Sequence, residues 1–316
     1  MRIFLSLFIC MWIWGCQKPS SGLNEWMKPN KKVKVLSTTA IIDDIVAQIG
    51  GERIDHIALI EGAIDPHSYE LVKGDDEKLS YAQVIFSNGL NLEHGASLRY
   101  QLENHPKAIA LGDQIRMKKP EAILSDRGQI DPHIWLDVAL WSEAIDPIVQ
   151  TLSEVDPEGT PYYERQGEQT KQRLFQLDQS IREKLHQIPM EKRYLVTSHD
   201  AFNYFTRRYL SEQNESWKER FCAPEGIAPD GQLCSRDIQT VINHLFQHQI
   251  HVIFPESNVS RDSLKKILSV CSEKGMKVVL AQDALHSDSL GSSSDTYEKM
   301  MQHNADTLYK AWNEYP

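Results

Sequence analysis

The sequence predicts an α/β fold of two lobes, each a mainly parallel sheet flanked by helices, joined by a single long backbone helix. Three features carry this: short apolar runs alternate with amphipathic stretches from Val33, the alternation resumes after residue 190, and one unbroken helical pattern lies between. The chain has 316 residues, enough for two domains, and 41% hydrophobic with 25% charged residues excludes a disordered tail or a polytopic membrane protein. The 34 basic and 44 acidic residues give a net charge of -10, which disfavours nucleic acid and anionic lipid as partners and suits a cation.

At the N-terminus, Met1-Arg2 precedes an apolar run from Ile3 to Trp14 that only Ser6 interrupts, and Gly15-Cys16 follows. A spanning helix needs about 20 apolar residues, whereas a positive start, a short apolar run and a small residue describe a secretory signal. Residues 1–15 are therefore read as a signal peptide and 16–32 as a tether. Ile13-Trp14-Gly15-Cys16 resembles a bacterial lipobox, making Cys16 the lipidation candidate; cleavage near Ser20-Ser21-Gly22 is the alternative. Both place the protein outside the cytoplasm, periplasmic or anchored by lipid to the outer face of the bacterial cytoplasmic membrane. An exported chain permits a disulfide, and Cys222 and Cys234, flanking a loop with Pro224, Gly226, Pro229 and Gly231, are the candidates. No Cys-x-x-Cys pair exists, which argues against a thiolate zinc site.

The first lobe, 33–158, opens with a strand at 33–36. Ile41, Ile42, Ile45, Val46 and Ile49 then recur at helical spacing until Gly50-Gly51 stops them. Strands follow at 54–60, 84–88 and 108–111, with helices near 75–82 and through Leu98 and Leu102. A helix from Asp137 to about Glu154 ends at Asp156-Pro157-Glu158-Gly159. The linking segment, 159–190, carries Leu174, Leu177, Ile181 and Leu185 at three- and four-residue steps, with no proline between 162 and 188. About 25 helical residues span nearly 40 Å, the reach of a spine between lobes. The second lobe, 191–316, alternates strands at 193–197, 252–255 and 278–281 with helices at 202–210, 238–248, 263–273 and 295–312.

A single histidine is ordinarily a surface or core residue, but three stand out by context. His67 sits in Asp65-Pro66-His67-Ser68-Tyr69-Glu70, His133 in Asp131-Pro132-His133-Ile134-Trp135-Leu136-Asp137, and His199 in Thr197-Ser198-His199-Asp200. Each is expected to follow a strand end, and in open α/β sheets the carboxyl ends of strands form the ligand crevice. Proline restricts both itself and its predecessor, so each Asp-Pro-His triplet presents its imidazole from a stiff backbone. Asp288, beyond the last strand, is the best fourth ligand, its alternative role being an Asx turn. Glu256, directly after Phe254-Pro255, is a candidate to orient a ligand imidazole from behind. His94, His286 and Asp283 lie near the same edge and are left outside the ligand set.

Asp65-Pro66-His67, Asp131 to Asp137, Phe254-Pro255-Glu256-Ser257, Asp288-Ser289-Leu290-Gly291 and Thr296-Tyr297 through Met300-Met301 and Asn304 together resemble the metal-binding receptors of ABC importers. These are the cluster A-I, TroA/PsaA/ZnuA-type solute-binding proteins, and the resemblance runs from Val33 to the C-terminus. It implies two α/β lobes on a rigid backbone helix, a metal held by His67, His133, His199 and Asp288, and a monomer that delivers its ion to a permease with its ATPase. Val138 and Leu71 stand where the family usually has proline, and Gln232-Leu233-Cys234 departs from its usual loop. Three imidazoles and a carboxylate suit one transition metal ion: zinc as a tetrahedron, or manganese or iron if Asp288 binds through both oxygens. Zinc importers of the family often carry a His-rich loop; 117–130 has none, which tilts the expectation towards manganese or iron.

Two other classes compete. A zinc-dependent hydrolase would need three protein ligands, an open position for water and a general base; four protein ligands close that position, so no enzyme is expected. An adhesin or chelate-binding protein on the same fold is the other. Imidazoles at their ordinary pKa, near 6.5, predict that metal affinity is lost below about pH 6.

Overall fold

A computed structural model describes residues 26–126, 128–212, 216–229, 233–291 and 294–315; the signal peptide and Cys16 lie outside the described residues. Strands β1 (Val33–Thr39), β2 (Ile54–Ile60), β3 (Val84–Ser87) and β4 (Ala108–Ala110) form one parallel sheet in the order β2-β1-β3-β4. Every residue of β1 is buried, as a strand covered on both faces requires. The chain steps from β1 to one side and returns to the other, so a crevice opens at the carboxyl ends of β1 and β3, the switch point where such sheets bind ligands.

The second half repeats this plan with shorter strands. Leu195–Val196 pairs in parallel with Phe221–Cys222, and Val252–Ile253 with Val279–Leu280. The Phe254 N–H donates to the Val196 carbonyl at 2.8 Å, tying the two pairs together. Beyond these strands, isolated parallel bridges join His199 to Glu225 and Glu256 to Leu285. Pairing thus falters where the site residues leave the sheet.

The spine is the 26-residue helix Thr160–Leu185. It is packed along its length: Tyr163, Gly167, Leu174, Leu177, Ile181 and Leu185 are buried in a core that continues from Val33 to Trp312. Buried Asp178 receives two bonds from Arg208, at 2.9 and 2.5 Å, and one from the Tyr209 hydroxyl at 2.9 Å, fastening the spine to the second half. At Gly167 a Cβ would meet Val149 Cγ2 at 2.7 Å and Ile145 Cγ2 at 3.2 Å, so the helix Ile145–Val155 approaches closely there. Gly167→Leu is expected to lower stability by about 1–3 kcal/mol through overpacking, read as a fall in the denaturant midpoint; an unchanged midpoint would mean that the two helices separate freely.

Several expectations need correcting. The tether does not extend to residue 32: Trp26 is buried against Leu79 and Ile85 in the first-half core, and its Nε1 donates to the Asp55 carbonyl at 3.0 Å. The run read as strand 108–111 yields a strand only to Ala110, after which Leu111–Lys118 is helical. The segment read as helix 202–210 is Asn203–Phe205 followed by a π-helical turn, Thr206–Leu210. Cys222 and Cys234 are free thiols, not a disulfide. Cys222 ends a strand and packs on the second-half core, whereas exposed Cys234 precedes the helix Ser235–His248, its N–H held by the Asp237 carboxylate at 2.9 Å. Val138, standing where proline is usual, uses the N–H that proline lacks to donate to the Tyr209 hydroxyl at 3.2 Å.

Candidate metal centre

His67, His133, His199 and Asp288 converge in the crevice between the two halves, all buried, with one potential ligand atom from each lying within 4.8 Å of the others. His67 Nε2 is 3.2 Å from His133 Nε2. The Asp288 carboxylate lies across from them, Oδ1 3.4 Å from His133 Nε2 and Oδ2 3.4 Å from His199 Nε2. His199 Nε2 and Asp288 Oδ1 have no hydrogen-bond partner although both are buried. Orphaned buried polar atoms are costly, and a cation among these donors would satisfy both.

The two Asp-Pro-His triplets work alike, and the aspartates matter as much as the prolines. Asp65 Oδ1 accepts the His67 N–H at 2.9 Å, and Asp131 Oδ1 accepts the His133 N–H at 3.0 Å. Asp131 Oδ1 also lies 2.8 Å from His133 Nδ1, which assigns the metal-facing lone pair to Nε2. Glu256 serves His199 in the same way. Its Oε1 accepts the backbone N–H groups of Ser198 and His199 at 2.9 and 2.8 Å, and its Oε2 lies 2.7 Å from His199 Nδ1, close but poorly aligned for a hydrogen bond. Asn258, unmarked by the sequence reading, donates to Asp288 Oδ2 at 2.7 Å.

Cross-links between the halves hold the centre in register. Trp135 Nε1 donates to the Ser287 carbonyl at 2.7 Å, and the Tyr297 hydroxyl donates to the Trp135 carbonyl at 2.6 Å. Asn304 clamps the His286 backbone from both sides, at 2.8 Å each, just ahead of Asp288. Asn203 Nδ2 bridges Asp131 Oδ2 and Asp200 Oδ1, at 3.0 and 2.9 Å. The sequence reading missed Glu93. Fully buried, its carboxylate accepts from Thr38 Oγ1 and from the N–H groups of Asn88 and Gly89, at 2.6, 2.7 and 3.1 Å, which locks together the ends of β1 and β3. Asn88 Nδ2 in turn donates to the Pro132 carbonyl at 3.1 Å, just before His133.

Of the residues left outside the ligand set, Asp283 is exposed, 3.8 Å from Lys310 Nζ, and His286 stacks on His303 with ring centres 4.5 Å apart. His94 lies beside His67 but outside the group of four.

Charge distinguishes the three imidazoles. Burial would push His133 down, but Asp131 and then Asp288 outweigh it and raise its pKa to about 10. Burial likewise opposes His199, which Glu256 and Asp288 raise to about 9. His67 has no carboxylate behind it, and burial holds it well below its ordinary value. Burial also works against the Asp288 carboxylate, yet His199 and His133 keep it far below the usual range. Without metal, the carboxylates thus favour the protonated forms of His133 and His199, and burial favours the neutral form of His67.

The family described as zinc-uptake complex component A, periplasmic, matches residues 35–311. A metal-binding protein, YtgA, of Chlamydia trachomatis is 41% identical over 88% of this chain and 86% of its own length. The manganese-binding lipoprotein MntA of Bacillus subtilis is 31% identical over 96% of each chain. The crystal structure of Fe(III)-bound YtgA from Chlamydia trachomatis superposes with a TM-score of 0.84 at 40% identity, covering 88% of this chain and 97% of that one. On these matches the chain belongs to the ZnuA-type family, the cluster A-I metal-binding receptors of ABC importers.

Proposed function

We propose that the protein captures a single manganese or iron ion between its lobes and hands it to a membrane permease driven by an ATPase. The observation that carries this is the convergence of four buried donors, two with an unpartnered atom facing the others. His67, His133 and His199 would each bind through Nε2, and Asp288 through one or both carboxylate oxygens. Asp131 and Glu256 would orient the imidazoles they touch. Binding through both oxygens raises the coordination number above four and favours manganese or iron over zinc. The absence of a His-rich stretch in 117–130, the Fe(III) in the Chlamydia trachomatis relative and the manganese of the Bacillus subtilis one support the same choice. A set of four protein side chains, against the three of a catalytic zinc site, and the match to a family of uptake receptors favour a receptor over a hydrolase, and the receptor is read as a monomer.

The lobes in this reading are 33–158, with Trp26 packed against its core, and 191–316, with 159–190 as the link; the shared core favours a rigid spine over a loose hinge. Export through residues 1–15 and lipidation at Cys16 would hold the receptor on the outer face of the cytoplasmic membrane, beside its permease.

Elemental analysis tests the reading. Mature protein purified from a metal-replete host is expected to carry about one equivalent of a transition metal, as a single four-donor centre implies, and the His67→Ala variant to lose most of it. Folded wild-type protein that stays metal-free after reconstitution would refute the assignment.

A further inference from the structure

We propose that Asn258 fixes the rotation of the Asp288 carboxylate so that both of its oxygens face the ion, and thereby sets the preference for manganese or iron over zinc. This rests on the metal-receptor reading and names the residue that decides its selectivity.

The place of Asn258 follows from strand register. Beyond the strand Val252–Ile253 the chain runs on beside the segment that carries Asp288, joined to it by the parallel bridge between Glu256 and Leu285. The Ser257 N–H donates to the Leu285 carbonyl at 2.9 Å, and Ser257 Oγ lies 2.9 Å from His286 Nδ1. One residue further, Ser287 Oγ donates to Asn258 Oδ1 at 3.0 Å, and Asn258 Nδ2 donates to Asp288 Oδ2 at 2.7 Å. The same short segment thus stands behind two ligands, Glu256 behind His199 and Asn258 behind Asp288.

The orientation of the amide is determined. An ionised carboxylate only accepts, so the amide atom that faces it is the nitrogen, which leaves Asn258 Oδ1 for the Ser287 hydroxyl. The backbone is held as well: Asn304 clamps His286 on both sides, and Trp135 Nε1 bonds the Ser287 carbonyl. What remains free at Asp288 is rotation about its Cβ–Cγ bond, a broad and weakly hindered torsion. Besides the imidazoles, Asn258 is the one side chain among the described residues that donates to this carboxylate.

The pose that Asn258 holds suits binding through two oxygens. Asp288 Oδ1 is 3.4 Å from His133 Nε2, and Oδ2 is 3.4 Å from His199 Nε2. Two atoms that each lie about 2.0–2.2 Å from one ion are no more than about 4.4 Å apart, so both oxygens fall within the span of one coordination sphere. A carboxylate oxygen has two lone pairs, and Oδ2 can keep the Asn258 bond while it faces the metal. Three imidazoles and two oxygens make five donors. Zinc is satisfied by four and loses little when one oxygen turns away, whereas manganese and iron lose a bond.

The test compares Mn(II) and Zn(II) affinities by chelator competition in the wild type and in Asn258→Ala, with the visible absorption of the Co(II) complex reporting the number of ligands. Asn258→Ala should weaken Mn(II) about tenfold more than Zn(II), the lower end of what losing an outer partner of a ligand costs. Its Co(II) complex should absorb more strongly, because four ligands give more intense bands than five. Ser287→Ala, which frees the amide without removing it, should shift the same ratio by a smaller factor. An unchanged ratio, with both ions weakened alike or neither, would overturn the proposal, since a residue that merely supports the fold moves both together. Should Asn258→Ala not fold, an unchanged ratio in Ser287→Ala would overturn it equally. Wild-type protein that binds neither ion would remove the receptor reading itself, a result distinct from normal binding with an unmoved ratio.

Discussion

Replacing His133 with alanine is expected to weaken metal binding by well over 100-fold, beyond the 10–100-fold typical of losing an outer partner of a ligand, while leaving the protein folded. His133 is the hinge of the donor set, 3.2 Å from His67 Nε2 and 3.4 Å from Asp288 Oδ1. Its removal takes away a nitrogen donor and the contact that aligns the carboxylate. Asp131 and Asp288 lose their contacts with the ring, which costs stability, but the backbone and cross-lobe hydrogen bonds around it remain. Asp131 keeps the backbone N–H of residue 133 and Asn203 Nδ2, and Trp135 keeps Ser287 and Tyr297. Chelator competition would measure the affinity, and circular dichroism with a thermal melt would report the fold. Affinity within tenfold of wild type would remove His133 from the donor set, and an unfolded variant would make it a structural residue.

The contrast between what the sequence revealed and what it concealed follows from where the information resides. The Asp-Pro-His triplets were legible because proline stiffening and an aspartate two residues before the imidazole act locally: the carboxylate accepts the histidine N–H in both. Strands β1 to β4 were legible in position because short apolar runs mark them, but the polar end Ser37-Thr38-Thr39 hid the last three residues of β1, and β3 and β4 were each read one residue too far. Glu93 was not, since a glutamate in Asn91-Leu92-Glu93-His94 reads as a solvated charge. Only the meeting of β1 and β3 surrounds it with Thr38, Asn88 and Gly89. The strand Phe221–Cys222 was hidden because two residues carry no periodicity. The disulfide failed for a related reason: a Pro- and Gly-rich loop makes closure conceivable, but the thiols' positions depend on the strand and helix that flank it.

Metal affinity is expected to rise about 100-fold per pH unit between roughly pH 7 and 8.5, because two protons must leave for each ion bound. Ordinary imidazoles predict loss of affinity below about pH 6. The carboxylates behind the rings change this. Asp131 and Glu256, with Asp288 shared between the rings, raise His133 to about 10 and His199 to about 9, so both imidazoles are protonated at neutral pH without metal. An ion that binds Nε2 displaces a proton from each, whereas His67, already neutral, releases none. The same shifts set the sign for the metal-free fold. Groups whose pKa is raised on folding add stability that is complete below their unfolded value, near 6.5, and is lost as pH climbs through 9 to 10. Metal-free protein should therefore melt at a lower temperature at pH 9.5 than at pH 7, by an amount that metal restores. Calorimetric titration in buffers of different ionisation enthalpy counts the released protons directly. About two per ion at pH 7 supports the paired-imidazolium centre, and none, with affinity flat above pH 7, would mean that His133 and His199 are neutral before the metal arrives.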